Sequence, residues 1–424
     1  MNARRWLRAR EACRRGLRAS VVTASLLGSL ATAAGAQPEL RVPPLLDGHL
    51  LVGGEFSATY GTRDEGFYNH TDYNVSLLRY LVGQIDAEWV LGSRASLVGE
   101  LRSENDHGVR ASAWFLRVRP VAATPLSLEI GRVSHVFGQA TNRRYGNDSL
   151  LIGLPLAYQY LTSLRYDSLP AHADALLRSR GRGWLLTYPA GVGNPLAEAG
   201  LPIVAALRYD TEVKLAWNVG GRLEAAGAVT LGSLSRPLAD EDNGRRQVAA
   251  RVVARPSPAL AFGVSAARGA YVDDEAKGAV AQATAATTRE WYQAAFGIDA
   301  EWSAGHWLAR GEVIASRWEV PQVAAPRLPS HLDATTSMLE GRYRVHPRGW
   351  VALRAEHLRF SKIVGTVFAG RPTTWDGPVT RVEGGVGVVL TRQLTWKVAY
   401  QHAWRDAGRV RSPHLAATQL SFWF

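Results

Sequence analysis

Apolar and polar residues alternate with a period of two along most of the chain. In the segment "WYQAAFGIDAEW" (291–302), one face carries Phe296 and Ile298 and the other carries Gln293 and Asp299. This period is that of a β-strand whose two faces meet different surroundings. Similar segments recur from about residue 50 to the last residue, which predicts an all-β protein.

The predicted strands are long, and their connections are alternately short and long. Short connections include 218–221 and 302–306, and long ones include 272–289 and 361–378. Strands of about 10 residues can cross a bilayer when they are tilted. Turns on one rim and loops on the other are typical of membrane barrels. The sequence therefore predicts a transmembrane up-and-down antiparallel β-barrel.

The predicted strand number is about sixteen. The strands are expected at residues 50–61, 75–91, 95–104, 109–119, 126–137, 203–218, 222–234, 246–255, 260–272, 290–303, 306–319, 334–345, 349–361, 379–390, 394–405 and 414–424. Eighteen strands result if 181–189 and part of 201–210 are separate strands. A barrel of sixteen or eighteen strands encloses an aqueous channel, whereas one of eight is filled by its own side chains.

Tryptophan residues flank the predicted short turns. Five of them are Trp217, Trp302, Trp307, Trp350 and Trp396. Indole rings favour a membrane interface, where the ring is buried and the N–H stays hydrated. We expect an aromatic girdle at the rim that carries the short turns.

The N-terminal segment has the pattern of a secretory signal peptide. The first twenty residues hold seven arginines and one acid, and an uncharged run follows that ends in Ala34-Gly35-Ala36. That run is short for a transmembrane helix, which disfavours an uncleaved anchor. We expect a cleaved signal peptide at 1–36 and a single barrel domain at 37–424.

Removal of the predicted signal peptide changes the composition. It leaves 42 basic and 36 acidic residues, so the net charge falls from +12 to about +6. Cys13 is the only cysteine of the sequence and lies in the removed segment. Disulfides, thiol catalysis and thiolate metal sites are therefore excluded for the predicted mature chain.

The last strand is amphipathic up to its final aromatic residue. In "HLAATQLSFWF" (414–424), Leu420, Phe422 and Phe424 share one face, and Gln419 and Ser421 share the other. Chain ends are usually frayed and polar unless they are tied down. We expect this strand to close the barrel against the first strand, with its even-numbered residues toward lipid.

These features resemble those of Gram-negative outer-membrane porins, whose final strand ends in an aromatic residue, usually Phe. The segment "LEIGRVSHVFG" (128–138) is similar to a strand end of several porin families, but the acidic constriction motif of the general porins is not recognisable. The resemblance implies insertion into outer-membrane lipid after export through the periplasm, recognition of Phe422 and Phe424 by the barrel-assembly machinery, and assembly as a homotrimer.

A long segment at 138–202 interrupts the regular pattern. Long loops of this kind are usually functional or disordered, and this one is rich in apolar and aromatic residues. In porins, a long loop after an early strand folds into the lumen and narrows it. The resemblance implies the same here, and the alternative is an external cap on the rim. Its candidate constriction residues are Arg143, Arg144, Tyr158, Tyr160 and Arg165.

The polar face of the predicted strands carries the candidate pore-lining cations. These are Arg117, Arg251, Arg310, Arg342, Arg344, Arg354, Arg381, Lys397 and Arg405. Glutamates and aspartates share the same faces, so cross-strand pairing in a hydrated wall is the plainer interpretation for each one.

The predicted function is a porin that forms a water-filled channel for passive diffusion of small hydrophilic solutes, anionic or sugar-like. A polysaccharide-export or other substrate-specific outer-membrane channel is the alternative. An outer-membrane enzyme is disfavoured because no arrangement of nucleophile and base is recognisable in the sequence. No cofactor, metal ion or nucleic acid is expected.

Overall fold

The computed structural model describes residues 45–69, 81–105, 108–121, 124–143, 146–205 and 209–424. Its main feature is a closed barrel of sixteen antiparallel strands, each paired with its neighbour in the chain. The predicted signal peptide lies outside the described residues and stays a prediction. The predicted fold class and the count of sixteen strands are confirmed.

The barrel strands are named here in chain order. They are β1 (Leu50–Gly61), β2 (Leu81–Gly92), β3 (Ala95–Glu104), β4 (Arg110–Val118), β5 (Leu126–Ser134), β6 (Tyr209–Val219), β7 (Leu223–Thr230), β8 (Gln247–Ser257), β9 (Leu260–Ala270), β10 (Tyr292–Ala304), β11 (Trp307–Glu319), β12 (His331–His346), β13 (Gly349–Phe360), β14 (Val379–Thr391), β15 (Leu394–Arg405) and β16 (His414–Trp423). The alternative of eighteen strands is wrong, because residues 181–189 lie in the long loop and add no barrel strand.

Strand β16 closes the barrel against β1. The two strands pair from Glu55↔Trp423 to Gly61↔Ala417. Beyond this ladder, the Phe424 N–H donates to the Gly54 carbonyl at 3.1 Å, and the Gly54 N–H donates to the Phe424 carbonyl at 3.2 Å. Closure leaves no open sheet edge, and an unpaired backbone group in hydrocarbon would cost several kcal/mol.

The two faces of the barrel wall differ as the alternation predicts. On β10, Gln293 is buried inside the barrel, whereas Phe296 and Ile298 are exposed on the outside. On β16, Ser421 is buried and Leu420 is exposed outward. The outside of the barrel is therefore an apolar band and the inside is polar, which is the inverse of a soluble barrel.

The outer surface beside the short turns carries an aromatic girdle. Four of the five predicted tryptophans are exposed there, namely Trp217, Trp302, Trp307 and Trp396. The prediction is wrong for Trp350. Even-numbered residues of β13, such as Ala352, face inward, and the Trp350 indole N–H donates to the Leu150 carbonyl at 3.3 Å inside the barrel.

The long loop between β5 and β6 has its own short elements. These are two 3-10 turns (Ala140–Asn142 and Gly146–Asp148), helices α1 (Leu156–Gln159) and α2 (Ala173–Arg178), and a two-stranded sheet of Ser168–Pro170 with Gly191–Gly193. Strands β5 and β6 pair directly, so both ends of this loop leave the barrel wall at the same place.

The long loop packs against the inner face of the barrel. Its Leu156, Tyr158 and Leu164 belong to one apolar cluster with inward-facing Trp318 of β11 and Leu358 of β13. In the later connections, helix α3 (Asp274–Thr284) follows β9, and the strand pair of Lys362–Ile363 and Thr373–Thr374 follows β13. None of the described helices has the length and apolar character needed to cross a membrane.

Candidate functional site

The inner wall of the barrel has a covered side and an open side. The long loop lies against β11 to β15, where the wall residues are almost fully buried. On β4, β6, β8 and the first part of β11, the cations stay partly exposed. The predicted pore-lining residues divide between these two sides.

On the covered side, Arg354 of β13 is enclosed by carboxylates. Its guanidinium lies 3.4 Å from a Glu340 oxygen and 3.3 Å from a Glu356 oxygen, and it contacts Glu383. It also donates to the carbonyl of Gly153 at 2.7 Å. Since Arg354 is fully buried, it binds the loop to the wall and does not face an open lumen.

Arg381 of β14 and Lys397 of β15 bind the loop in the same way. Arg381 donates to Glu356 at 2.7 Å and to the Leu154 carbonyl at 2.5 Å. Lys397 donates to the carbonyls of Gly146, Ser149 and Leu151, at 2.5, 3.2 and 3.3 Å. Both side chains therefore bind loop carbonyls, although the alternation alone predicts that they contact water in the lumen.

Arg405 lies at the loop end of β15 beside two tyrosines. Its guanidinium carbon is 4.5 Å from the ring centroid of Tyr68 and 6.0 Å from that of Tyr160. It donates to the carbonyls of Ala407 and Val410 at 2.9 and 3.1 Å. The stacking is of the cation–π type and leaves Arg405 and Tyr160 buried.

Tyr158 and Arg143 connect the first part of the loop to the wall. The Tyr158 hydroxyl donates to the Glu312 carboxylate at 2.7 Å, and the Gln139 N–H donates to the same carboxylate at 2.6 Å. Arg143 lies 3.4 Å from Glu340 and 2.9 Å from the Gln139 side-chain oxygen. Arg144 lies outside the described residues.

Arg165 differs from the expectation of a constriction residue. It is fully buried and makes a two-pronged ion pair with Asp167 at 2.8 and 2.7 Å. It also donates to the carbonyls of Leu186 and Leu196 at 2.7 and 2.6 Å. Arg165 therefore holds separate parts of the loop together.

On the open side, most cations are paired with carboxylates. Arg117 lies 3.1 Å from Glu88 and 3.0 Å from Glu129, and its side chain is 28% exposed. Arg310 of β11 lies 2.7 Å from Glu301. Such pairing reduces the basic excess that the sequence predicts along the wall.

Arg251 is also paired with a carboxylate, in this case an aspartate. It lies 2.5 and 2.9 Å from the two oxygens of Asp299. By contrast, the Arg342 Nε is buried without a hydrogen-bond partner among the described residues. Arg344 is exposed close to a short turn. Among the candidate pore-lining cations of the open side, Arg342 and Arg344 are therefore the ones least neutralised by ion pairs.

A cavity of about 240 Å³ lies beside this open side. It is lined by Lys214 of β6, Arg251 and the loop residue His135. Both ring nitrogens of His135 are buried with no partner in the described ranges. Burial lowers the pKa of His135 to about 4, so its ring adds no charge to the cavity at neutral pH.

Phe422 and Phe424 lie where β16 meets β1. The ring of Phe424 is 6.2 Å from that of Phe56 and 6.2 Å from that of Phe422, measured between centroids. Phe56 is exposed on the outside of the barrel. The three rings form one aromatic cluster at the closing seam.

Some residues of the site were missed by the sequence analysis. His135 follows the last residue of β5, and Asn69 accepts a hydrogen bond from Arg381 at 2.8 Å. Asp376 accepts from the Ser163 and Gly181 N–H groups at 2.8 and 2.7 Å. Asn69 and Asp376 lie in connections, where the period-two pattern carries no signal, whereas His135 lies in the strand expected at 126–137, which ends at Ser134 in the structure. Within the described ranges, no group of three or more His, Cys, Asp or Glu side chains could hold a metal ion.

No known family profile and no curated protein matches the sequence. Solved structures do match the fold. An anion-selective porin from Comamonas acidovorans has a TM-score of 0.52 at 10% identity, covering 88% of this chain and 99% of its own. OmpT of Vibrio cholerae, in a trimer form, has a TM-score of 0.51 at 11% identity. That match covers 88% of this chain and 99% of OmpT.

The outer-membrane channel DcaP of Acinetobacter baumannii is similar to the same extent. Its TM-score is 0.50 at 10% identity, and the match covers 88% of this chain and 97% of DcaP. Identities this low show the fold alone. That fold is the sixteen-strand barrel of outer-membrane porins and channels.

Proposed function

We propose that this protein is an outer-membrane porin, a water-filled channel for passive diffusion of small hydrophilic solutes. The observation that carries the proposal is the closed sixteen-strand barrel with an apolar outside and a charged inside. A barrel of this size is too wide to be filled by its wall side chains alone. The proposal includes a location in the outer membrane of a Gram-negative cell, in contact with its lipid.

The proposed solutes are anionic or sugar-like. Support for an anion preference comes from exposed Arg344 and from Arg342, whose buried Nε has no hydrogen-bond partner among the described residues. The likeness to an anion-selective porin also supports it. The ion pairs of Arg117, Arg251 and Arg310 limit that preference. A moderate selectivity that fades at high salt is therefore proposed.

The loop segment 138–202 is the proposed constriction. Its contacts with Glu312 and Lys397 support this role, because they hold the chain against the wall from inside. The alternative of an external cap would not require these contacts with inward-facing residues. The covered cations Arg354 and Arg381 then act by positioning the loop.

Assembly as a homotrimer and transport without catalysis complete the proposal. OmpT of Vibrio cholerae is described in a trimer form, and its fold is similar to that of this chain. Two of the compared proteins are named as a porin and a channel, which favours a transport role over an enzymatic one.

Swelling of liposomes that contain the purified protein tests the proposal. We expect fast swelling in small sugars and small organic anions, with rates that fall steeply as solute mass rises. Heat-unfolded protein in matched liposomes is the control. Absence of swelling with folded protein would contradict the channel, and swelling that stays fast in long oligosaccharides would favour a polysaccharide-export channel.

A further inference from the structure

A second basic cavity lies at the rim of the loops, beside the loop ends of β13 and β15. Its volume is about 910 Å³. Three segments build it: part of the long loop around Arg180, the connection after β13 around Phe368, and the connection after β15 around Arg409. These connections are the long ones, so the cavity opens on the rim opposite to the short turns.

The charge of this cavity is strongly basic. The long loop supplies Arg178, Arg180 and Arg182 through the sequence "RSRGR", and the connection after β15 supplies Arg409 and Arg411 through "GRVR". Among the described lining residues, Asp406 is the one carboxylate, and it is 77% exposed. Five guanidinium groups therefore face one well-hydrated acid, unlike the paired cations of the inner wall.

Two glycines hold the arginine-bearing segments together. Gly181 and Gly408 have φ angles of +69° and +80°. A Cβ on Gly181 would lie 2.8 Å from the Ala407 carbonyl carbon, and one on Gly408 would lie 2.6 Å from the Gly181 oxygen. Only glycine allows this backbone approach. The arrangement is thus set by the backbone and does not depend on flexible side chains.

Arg180 is the buried group of the cavity. Its side chain is 9% exposed, and its Nη2 donates to the Thr374 hydroxyl at 2.8 Å. Its distance to Asp406 is 3.7 Å. The Arg180 Nε is buried and has no hydrogen-bond partner in the part of the chain that the structure describes. A buried guanidinium N–H without a partner is a position that an anionic ligand would satisfy.

The apolar part of the lining narrows the class of ligand. Trp184, Leu185, Val367 and Phe368 line the cavity together with the arginines. The Arg180 guanidinium carbon is 5.6 Å from the Phe368 ring centroid. Guanidinium groups bind carboxylates in a planar, two-pronged geometry and also stack on aromatic rings. A ligand with a flat apolar ring and more than one carboxylate fits this combination of arginines and aromatic residues best.

We propose that the loop-side mouth of the barrel contains a capture site for planar aromatic dicarboxylates. The role of this site rests on the proposed channel function. Capture at the mouth would raise the local concentration of such anions before they enter the lumen. Binding itself can be measured without any flux, so the two proposals can be tested separately.

Quenching of tryptophan fluorescence by 5-nitroisophthalate tests the site in the full-length folded barrel in detergent. We expect saturable quenching that is mostly lost in Trp184→Phe and that needs about tenfold more probe in Arg180→Gln. The exposed pair Arg409→Gln and Arg411→Gln should also weaken binding. Arg222→Gln, in a short turn on the opposite rim, is the matched control and should bind normally.

Competition experiments define the ligand class. Isophthalate should displace the probe at lower concentration than benzoate, succinate or inorganic phosphate, and displacement should weaken with rising salt. Equal displacement by phosphate and isophthalate would overturn the dicarboxylate assignment. Quenching that is unchanged in both arginine variants, each shown to be folded by heat-modifiable migration, would overturn the site.

Addition of isophthalate to one side of a planar bilayer separates the two proposals. A conducting barrel should show brief current interruptions with the anion on the loop side and fewer with the anion on the turn side. Normal conductance without binding would leave the channel intact and contradict the capture site. Binding without conductance would support the site and contradict the channel.

Discussion

Single cations inside the barrel have two different roles. Lys397 and Arg381 are buried under the long loop and bind its carbonyl groups, whereas Arg117 stays partly exposed on the open wall. Burial of a charged donor costs free energy unless the donor is well paired. The carbonyls of residues 146–154 supply those partners.

We predict that Lys397→Met loosens residues 146–151 while the barrel stays folded. Each hydrogen bond from a charged group contributes roughly 1.5–3 kcal/mol, so the local opening free energy should fall by about 2 kcal/mol. Hydrogen exchange measured by mass spectrometry should show faster exchange in this segment. Lys362→Met, at an exposed position, is the control and should exchange as the unaltered protein does. Unchanged protection in Lys397→Met would contradict the anchoring role.

The sequence predicted the direction of these side chains but not their partners. The alternation placed Lys397, Arg354 and Arg381 on the inner face, and the structure agrees. Besides the cross-strand carboxylates, their partners are the loop carbonyls of Gly146, Gly153 and Leu154, which lie more than 200 residues away in a segment without periodicity. A local pattern contains no information on such contacts, so exposed pore-lining cations were expected where buried anchors occur.

At the scale of elements, the long loop is the proposed constriction and packs against the inner face of the barrel. Its backbone is fixed at several points, including the Leu156 N–H that donates to Glu356 at 2.7 Å and the Gln139 N–H that donates to Glu312. The length and composition of the segment already distinguish it in the sequence. Within the segment, helix α1 is a single turn, Leu156–Gln159.

We predict that replacement of residues 147–153 by a short Gly-Ser linker raises single-channel conductance by a factor of about two. This segment fills space between the wall and the lumen, and its removal exposes Arg354 and Lys397 to water. The expected factor is an order-of-magnitude value for partial widening of a narrow pore.

A deletion of residues 286–288 on the outer surface is the control for loop shortening. These residues are exposed and lie after α3, so conductance should not change. If both deletions give folded barrels of equal conductance, the segment does not narrow the lumen. The loop would then be a cap, and the proposed constriction would be incorrect.

At the scale of the whole molecule, barrel closure depends on the seam between β16 and β1. The strand number, the alternation of inward and outward residues and the outward aromatic face were all predictable from the sequence. Each strand of a membrane barrel must pair its backbone N–H and C=O groups with a neighbouring strand. The position of Trp350 was not predictable from its place beside a turn. Its inward direction follows instead from the alternation along β13, on which Trp350 has the same parity as inward-facing Ala352 and Arg354.

We predict that Phe424→Asp reduces the amount of assembled barrel several-fold. The substitution removes the ring contacts with Phe56 and Phe422 and places a charge at the apolar rim. Heat-modifiable migration of outer-membrane fractions measures the outcome. Gly92→Asp, where an added side chain would meet no other group, is the control for an extra rim charge. Equal assembly of Phe424→Asp and unaltered protein would contradict the role of this residue at the seam.

The reversal potential of single channels in a salt gradient tests the central claim most directly. The account predicts stepwise conductance in planar bilayers and a reversal potential of the sign expected for anion flow. That potential should be largest near 0.01 M salt, where the Debye length is about 30 Å, and should shrink above 0.1 M, where it is about 10 Å. Absence of conductance steps from folded barrels, or a cation preference at low salt, would contradict the account.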